Sequence, residues 1–322
     1  CVRADNRRDR PCYAVRSGAA VMERPPFPTV LDSTIIAAFR SCPQKAFLEF
    51  FQHWKSRDPS VHLHAGAAYA AGLEAAREAF YINGSSSEES IGIGLHALLT
   101  HYGTFECPED SPKSATRMAG ALEFYFDRYP LGVDDAIPIT LPGGKRGIEF
   151  SFCEPLEATH PESGDPLLYS GRMDMIVDKE GMVLGEDDKT ASQLGASWPR
   201  QWDLRSQFTG YVWGASRTGL KLHGFLVRGV SILKSKYDTM EAITYRPDWQ
   251  VERWYKQLHA DIARMKRCWE EGYFDFNLDH ACTEYGGCHF RQVCLMAEPE
   301  ALLNQSFQRR RWDPVLRTET IL

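Results

Sequence analysis

The sequence predicts an α/β protein whose central mixed β-sheet is flanked by helices. Helical patterns come first along the chain, strand-like segments follow, and helix, strand and helix then alternate. With 322 residues, of which 43% are hydrophobic and 25% charged, the chain has the composition of a folded globular protein. No apolar run approaches the ~18 residues of a membrane helix, so we expect no membrane partner. The net charge of −6 argues against a generally basic nucleic-acid coat but not against a local basic groove.

The chain divides into five parts. Residues 1–26 are an arginine-rich tail without the apolar stretch of a secretory signal. Residues 27–146 form a helical region, residues 147–245 hold most strands, residues 246–300 contain a long helix and a cysteine cluster, and residues 301–322 are a second tail. The nine cysteines are an odd number in a long chain, which is untypical of a disulfide framework. We therefore expect a reducing, cytoplasmic compartment.

The helices follow from capping residues and apolar spacing. Asp32 or Ser33 can cap a first helix, and Cys42–Pro43 breaks that pattern into two short helices. An alanine-rich segment over 64–82 predicts a helix that packs closely against a neighbour. Further helices are predicted at 91–102, 113–129, 201–216 and 248–271.

Strands are predicted at 147–156, 167–178, 182–189 and 224–233. The second and third flank Glu180–Gly181, where glycine can supply the positive φ of a tight hairpin. If these two residues form the loop, Lys179 pairs with Met182, and outward counting places Asp174 opposite Asp187.

Side chains alternate along a strand, so Asp174, Asp187 and Lys189 share one face of this hairpin. Opposed carboxylates repel each other unless a cation lies between them, and hard oxygen ligands suit Mg²⁺ or Mn²⁺. A nearby lysine would suit a metal-dependent phosphodiesterase. Two alternatives stay open, namely a solvated acidic hairpin edge and a register slip that places Glu186 opposite Asp174.

Gln207 and Tyr211 follow on the next predicted helix, four residues apart and therefore on one face. In this order, Gly171-x-x-Asp174, Asp187-x-Lys189-Thr190 and Gln207-x-x-x-Tyr211 resemble the motifs of the PD-(D/E)XK nucleases, specifically the RecB-like branch. The resemblance implies a restriction-endonuclease-like core over 147–245. It also implies metal ligation by Asp174, Asp187 and the backbone carbonyl of Asp188, catalysis by Lys189, and support of the site and the DNA strand by Gln207 and Tyr211.

Three cysteines, Cys282, Cys288 and Cys294, lie in a polar segment that looks like a metal-binding loop. Thiolate sites usually need four ligands, and Cys42 is the obvious candidate for the fourth. This split arrangement resembles the iron–sulfur RecB-type nucleases, which include the AddB nuclease domain, CRISPR-associated exonucleases and phage relatives. The resemblance implies a [4Fe–4S] cluster that joins the N- and C-terminal parts. Zinc and ordinary buried thiols are the alternatives.

One departure from the family pattern affects the metal site. The family's early helix carries Gly-x-x-x-His with a metal-binding histidine, whereas here Gly66 is followed by Ala70. Substitutes could come from the list His62, His64, Glu74, Glu149 and Glu154. The loss could mean weaker metal binding, one active metal instead of two, or no catalysis.

We therefore expect a Mg²⁺- or Mn²⁺-dependent DNA exonuclease that acts on DNA ends or single strands in replication, recombination or repair. The alternatives are a non-catalytic DNA-binding or assembly protein with the same fold and a CRISPR-type adaptation nuclease. If the protein is phage-encoded, its compartment is the host cytoplasm. Residues that could line a strand path are Trp198, Arg200, Trp202, Arg205, Trp213 and Arg217.

Overall fold

The structure is a computed structural model that describes residues 24–58, 60–283 and 287–322. Within these residues the chain forms a large mixed sheet with helices on both faces and a small three-stranded antiparallel sheet. The predicted α/β class with a central mixed sheet is therefore confirmed. The tail predicted over residues 1–26 lies outside the described residues up to residue 23.

The helices keep the predicted order. They are α1 (Ser33–Ser41), α2 (Pro43–Ala46), α3 (Val61–Tyr81), α4 (Ser87–Tyr102), α5 (Ala115–Arg128), α6 (Ser206–Arg217), α7 (Asp248–Glu271), α8 (Arg291–Cys294) and α9 (Glu300–Ser306). A π-helical turn covers Phe47–Phe51, and 3₁₀ turns cover Pro199–Trp202 and Asp279–Cys282.

The strands are β1 (Val30–Leu31), β2 (Trp54–Ser56), β3 (Ala136–Pro138), β4 (Ile148–Thr159), β5 (Pro166–Lys179), β6 (Met182–Ala191), β7 (Gly224–Ile232), β8 (Tyr237–Tyr245), β9 (Phe307–Asp313) and β10 (Thr318–Ile321). The large sheet has the order β1-β5-β6-β7-β8, and β3 and β4 also pair with β5. The pairs β1–β5 and β6–β7 are parallel, and the others are antiparallel.

Strand β7 shows how the sheet separates two cores. Phe225 and Val227 point into the core on the side of α1, α6 and α7. Val230 and Ile232 point the other way, into the core of α3, α4 and α5. Side chains of a strand alternate between faces, so a central strand buried on both faces is apolar throughout.

The alanine-rich helix α3 packs closely on α4, as its composition predicts. A Cβ placed on Gly94 would lie 2.6 Å from the carbonyl oxygen of Gly72 and 2.9 Å from the Cβ of Ala76. The helices therefore approach at a distance that only small residues allow. Helix α4 begins before the predicted residue 91, because the Ser86 hydroxyl accepts a hydrogen bond from the Glu89 backbone N–H and caps it.

The C-terminal residues differ from the tail that the sequence suggested over 301–322. They form α9 and the hairpin of β9 and β10, and β9 pairs with β2 to complete the small sheet. A partner strand some 250 residues away is invisible to local periodicity. Within the described part of the chain, no helix is both long enough and apolar enough to cross a membrane.

Candidate metal and nucleic-acid site

The β5–β6 hairpin has the register that the sequence predicts. Its turn is Glu180–Gly181, with φ of 54° and 80°, and Lys179 pairs with Met182. The pairing continues to Met175 and Glu186, so the alternative register with Glu186 opposite Asp174 is wrong. One further step in the observed register places Asp174 opposite Asp187.

A third carboxylate extends this pair into a row across three neighbouring strands. On β4, Ile148 pairs with Met175 and Phe150 with Met173, so Glu149 lies opposite Asp174. Glu149 has a φ of 51°, an uncommon value for a residue other than glycine. The row Glu149, Asp174 and Asp187 concentrates negative charge at one place on the sheet.

Burial and mutual repulsion shape the protonation of the row. Burial, followed by the neighbouring carboxylates of Asp187 and Asp188, raises the pKa of Asp174 to about 7. Burial and Asp174 raise the pKa of Glu149 to about 8, against the opposing charge of Arg172. Both groups hold their protons more tightly than free carboxyls do, because the site disfavours another negative charge.

Lys189 supplies the positive charge on the same face. Its ammonium forms an ion pair with the carboxylate of Asp187. Burial alone would lower the pKa of Lys189, but Asp187 and then Asp174 raise it, so the lysine stays charged. The Asp174 carboxylate also accepts a hydrogen bond of 3.0 Å from the Asp188 backbone N–H, which fixes the strand ends relative to each other.

The Asp188 side chain points away from this row. Its Oδ2 lies 2.7 Å from Nη1 of Arg77 on α3, whose Nη2 lies 2.8 Å from Oε1 of Glu186. Arg77 is buried, and its charge balances two buried carboxylates. The carboxylate of Asp188 is thus engaged by α3, while the predicted role belongs to its backbone carbonyl.

The substitutes considered for the missing histidine occupy different places. Ala70 is exposed on α3 between Gly66 and Glu74, and a Cβ on Gly66 would lie 3.9 Å from the Thr190 hydroxyl oxygen. Glu74 is among the charges that raise the pKa of Glu149, so this helix face lies beside the row. His64 bonds to the Tyr102 carbonyl oxygen at 2.9 Å.

The remaining substitutes are His62, which lines the groove described below, and Glu154 on β4, which pairs with Tyr169. Of these five residues, Glu149 belongs to the row, because the strand register places it opposite Asp174. Glu74 lies close enough to raise the pKa of Glu149.

Gln207 and Tyr211 meet as their spacing predicts. Gln207 Nε2 donates to the Tyr211 hydroxyl oxygen at 3.0 Å, and the tyrosine is fully buried. A Cβ on Gly171 would lie 2.6 Å from the rings of both Phe152 and Tyr211. The glycine that precedes Asp174 by three residues therefore makes room for the tyrosine ring.

Sequence reasoning missed Arg317. Its Nη1 donates to the same Tyr211 oxygen at 3.0 Å, from the turn between β9 and β10. An isolated arginine in an assumed tail carries no local signal of such a contact.

Beside Lys189 lies an open groove of about 890 Å³. Its polar and basic lining includes His62, Lys113, Lys189, Thr190, Gln193, Arg200 and Gln201. Lys113 also escaped the sequence analysis; its ammonium donates to the Thr190 hydroxyl at 3.0 Å, and burial lowers its pKa. The groove thus places positive charge next to the carboxylate row.

The tryptophans of the suggested strand path are mainly packing residues. Trp198, Trp202 and Trp213 are 6–7% exposed, and all belong to the core beneath α6 and α7. Trp198 and Trp202 are still among the residues that line the groove.

The four predicted cluster cysteines lie in one region of the molecule. Cys42 occupies the break between α1 and α2, and its sulfur accepts a hydrogen bond from the Asn277 backbone N–H at 3.5 Å. The Cys288 backbone N–H donates to the Cys282 carbonyl oxygen at 3.2 Å. Burial, and then the thiols of Cys288, Cys42 and Cys282, raise the pKa of Cys294 to about 11.

Neither the carboxylate row nor the group of four cysteines is arranged as a metal-ligand shell. Among the described residues, no group of three or more histidine, cysteine, aspartate or glutamate side chains is arranged to hold a metal ion. Residues 284–286 of the cysteine segment lie outside the described residues, as do Cys1 and Cys12.

No family model matches the chain, and no curated protein matches it in sequence. Among solved structures, a protein from Eubacterium rectale that is described as a candidate exonuclease aligns with 80% of this chain and 88% of its own, at 13% identity and a TM-score of 0.46. The protein SSO0001 aligns with 71% of this chain and 83% of its own, at 13% identity and a TM-score of 0.30. At these values neither likeness bears on what the chain does.

Proposed function

We propose that this chain is a metal-dependent nuclease that cleaves DNA, acting on DNA ends or single strands. The observation that carries the proposal is the carboxylate row Glu149, Asp174 and Asp187, which lies beside Lys189, a residue that also lines the basic groove. Three facing carboxylates repel one another, and Lys189 and Arg172 each pair with one of them, so a bound metal ion would relieve the repulsion that remains around Asp174. Hard oxygen donors of this kind suit Mg²⁺ or Mn²⁺.

In this proposal the acidic residues bind the metal ion and the basic residues contact the phosphates. Asp174 and Asp187, with the Asp188 carbonyl, would hold the metal, and Glu149 is a further carboxylate opposite Asp174 on β4. A divalent ion supplies Lewis acidity and lowers the pKa of a coordinated water. Lys189 stabilises the negative charge that develops on the phosphate, because its ammonium remains charged in the site. Lys113 and Arg200 on the groove attract the strand's other phosphates.

The test is cleavage of 5′-labelled single-stranded and duplex oligonucleotides in Mn²⁺, Mg²⁺ or EDTA. We expect cleavage by the parent in Mn²⁺ and a loss of about a thousandfold or more for Asp187→Asn. Glu180→Gln is the matched control, because it removes one charge from the exposed tip of the same hairpin. If Asp187→Asn cut DNA at the parental rate, the catalytic assignment would be wrong.

We further propose that Cys42, Cys282, Cys288 and Cys294 hold one [4Fe–4S] cluster, with zinc as the alternative. The support is that Cys288 and Cys294 both lie within electrostatic reach of Cys42 and Cys282, although Cys42 is remote in sequence. Thiolate donors suit iron–sulfur and zinc, and such a site would tie the N-terminal helices to the C-terminal segment.

Metal and sulfide analysis of anaerobically purified protein tests this assignment. We expect about four iron and four sulfide per chain, and loss of both in Cys294→Ser. Cys153→Ser is the control, because Cys153 is exposed on β4. One zinc per chain would reject the iron–sulfur version and keep the ligands; no bound metal would reject both.

A non-catalytic DNA-binding role is the second candidate, and Ala70 is the observation that favours it. The position of the expected histidine ligand holds an exposed methyl group, so the site has fewer strong donors. A parent protein that binds DNA and cuts none in either metal would support this role.

A further inference from the structure

The C-terminal hairpin of β9 and β10 reaches the proposed catalytic site. Besides its pairing with β2, hydrogen bonds near its turn fix it to the body of the molecule. The Trp312 indole N–H donates to the buried Asp32 carboxylate at 2.9 Å, and the Ser170 hydroxyl donates to the Pro314 carbonyl oxygen at 2.9 Å. Ser170 precedes Asp174 on β5 by four residues, which is two repeats of the pleat and about 13 Å along the strand.

The turn of this hairpin is built to present Arg317. The Asp313 carboxylate accepts hydrogen bonds from the backbone N–H groups of Val315 at 2.8 Å and Leu316 at 2.9 Å. The Arg317 N–H then donates to the Asp313 carbonyl oxygen at 2.8 Å. Arg317 has a φ of 55°, in the left-handed region, which a residue with a side chain adopts only at a cost in backbone strain. Glycine would adopt this conformation without that cost.

The side chain of Arg317 ends on the Tyr211 hydroxyl. The hydroxyl oxygen accepts one hydrogen bond from Arg317 Nη1 and one from Gln207 Nε2, each at 3.0 Å. A hydroxyl oxygen has two lone pairs, so both acceptor positions are used. Its own proton is therefore left to donate in a third direction, and the two donors fix that direction.

The Tyr211 hydroxyl lies beside the catalytic region. The Tyr211 ring lies against β5 three residues before Asp174, because a Cβ on Gly171 would lie 2.6 Å from the ring, and Tyr211 is also within electrostatic reach of Lys189. Asp174 is among the charges that raise the pKa of Arg317. The hydroxyl thus lies within electrostatic reach of the lysine and the carboxylate row, where a substrate phosphate would supply a strong acceptor.

We propose that Arg317 is a positioning residue of the nuclease site, which holds the Tyr211 hydroxyl so that it donates a hydrogen bond to a phosphate oxygen of the bound strand. The inference rests on the proposed function. It assigns to the C-terminal hairpin a part in strand binding and cleavage, although the hairpin contributes none of the metal ligands.

A double-mutant cycle tests this role. If Arg317 acts only by positioning Tyr211, its replacement should have no further effect once the Tyr211 hydroxyl has been removed. Tyr211→Phe removes the donated hydrogen bond and should lower kcat about tenfold or more in Mn²⁺. Arg317→Gly should lower kcat by a similar factor with KM changing less, while relaxing the backbone strain. The double variant should be no slower than Tyr211→Phe. Arg317→Lys should recover part of the lost rate, since it restores a donor.

Arg311→Gln is the matched control, because it removes an exposed charge from the same hairpin. Its kcat should equal that of the parent. Thermal unfolding of every variant separates the role from folding, and we expect Arg317→Gly to melt at or above the parental temperature. A multiplicative double variant would overturn the proposal, and so would a fall in kcat that follows the loss of stability.

Binding of a fluorescent single-stranded oligonucleotide in Ca²⁺ keeps this proposal distinct from the nuclease proposal. If the parent binds in Ca²⁺ and cuts in neither Mn²⁺ nor Mg²⁺, the nuclease proposal fails. The positioning role then predicts equal, non-additive losses of affinity in Tyr211→Phe, Arg317→Gly and the double variant. Unchanged affinity in Arg317→Gly under that outcome would overturn the positioning role. A parent that neither binds nor cuts would overturn both proposals.

Discussion

Two hairpins supply the proposed site, and they are stabilised in different ways. The β5–β6 hairpin lies inside the large sheet, where β4 pairs with one of its edges and β7 with the other. The β9–β10 hairpin belongs to a three-stranded sheet, and β10 is an edge strand with exposed residues. The first holds the carboxylate row and Lys189; the second holds Arg317. Groups that need fixed distances between charges thus lie on buried strands, and a group that orients one hydroxyl lies on a peripheral element.

This difference predicts where the site tolerates change. Close packing surrounds the first hairpin, so a single added carbon should disturb it. A few hydrogen bonds attach the second, so its variants should alter activity more than global stability. The expected effects decrease from the first hairpin to the margin of the site.

Gly171→Ala should have the largest effect on stability. The new Cβ would lie 2.6 Å from the rings of Phe152 and Tyr211, and neither ring has room to retreat in the core. We expect a loss of about 2–3 kcal/mol in the free energy of unfolding, measured by urea titration, and a strong loss of cleavage. Gly195→Ala is the control, because nothing lies within 4 Å of its added Cβ. Equal stability of the two variants would show that the Tyr211 ring is not held by close packing.

The carboxylate row predicts a second effect, on the pH dependence of stability without metal. Burial and neighbouring carboxylates raise the pKa of Glu149 to about 8 and that of Asp174 to about 7. The folded state therefore binds these protons more tightly than the unfolded state. The resulting stability is fully present below the unfolded pKa values, near 4, and is lost as the pH rises through 7 and 8.

In EDTA we expect the free energy of unfolding to fall by on the order of 2 kcal/mol between pH 6 and pH 8.5. Mn²⁺ should offset this fall, because a cation replaces the lost protons. Glu149→Gln should make the profile in EDTA flatter. A profile that does not change in Mn²⁺ would argue against metal binding by the row.

The sequence predicts the first hairpin well because its information is local. The turn glycine, the alternation of apolar residues and the motif spacing all lie within residues 171–190, so counting outward from Gly181 gives the register. The same is true of α7, whose predicted bounds of 248–271 match the structure. Gln207 and Tyr211 meet because helical spacing alone brings them together.

The second hairpin could not be predicted because its contacts are distant in sequence. Strand β9 pairs with β2, some 250 residues earlier in the sequence. Trp312 donates a hydrogen bond to Asp32, which is 280 residues away. A run of three arginines, Arg309–Arg311, is typical of a solvated end of the chain. In the structure, however, Arg309 lies over the Trp54 ring, 4.4 Å from its centroid. Only tertiary structure shows that Arg317 reaches Tyr211.

Trp312→Phe tests how firmly the second hairpin is attached. The change keeps most of the ring but removes the hydrogen bond to Asp32, which is 2% exposed and also caps α1. We expect a loss of about 1 kcal/mol in urea unfolding and a severalfold fall in cleavage, since Arg317 would be less well placed. Trp249→Phe is the control on α7, where the ring is 62% exposed. Loss of stability without loss of cleavage would separate the hairpin from the site.

The smallest expected effect concerns the margin of the row, at Ala70. Mg²⁺ requires near-octahedral geometry, whereas Mn²⁺ binds a given set of ligands more tightly, so a site with few strong donors should work better in Mn²⁺. Ala70 is exposed one helical turn from both Gly66 and Glu74, on the face of α3 beside Glu149. We expect Ala70→His to raise Mg²⁺-supported cleavage severalfold and to change Mn²⁺-supported cleavage less, as measured by titrating each metal. Ala75→His, on the same helix but about 140° around its axis from Ala70, should have no such effect. A fall in activity in Ala70→His would mean that Glu149 or Glu74 already completes the ligand set and that the imidazole displaces it.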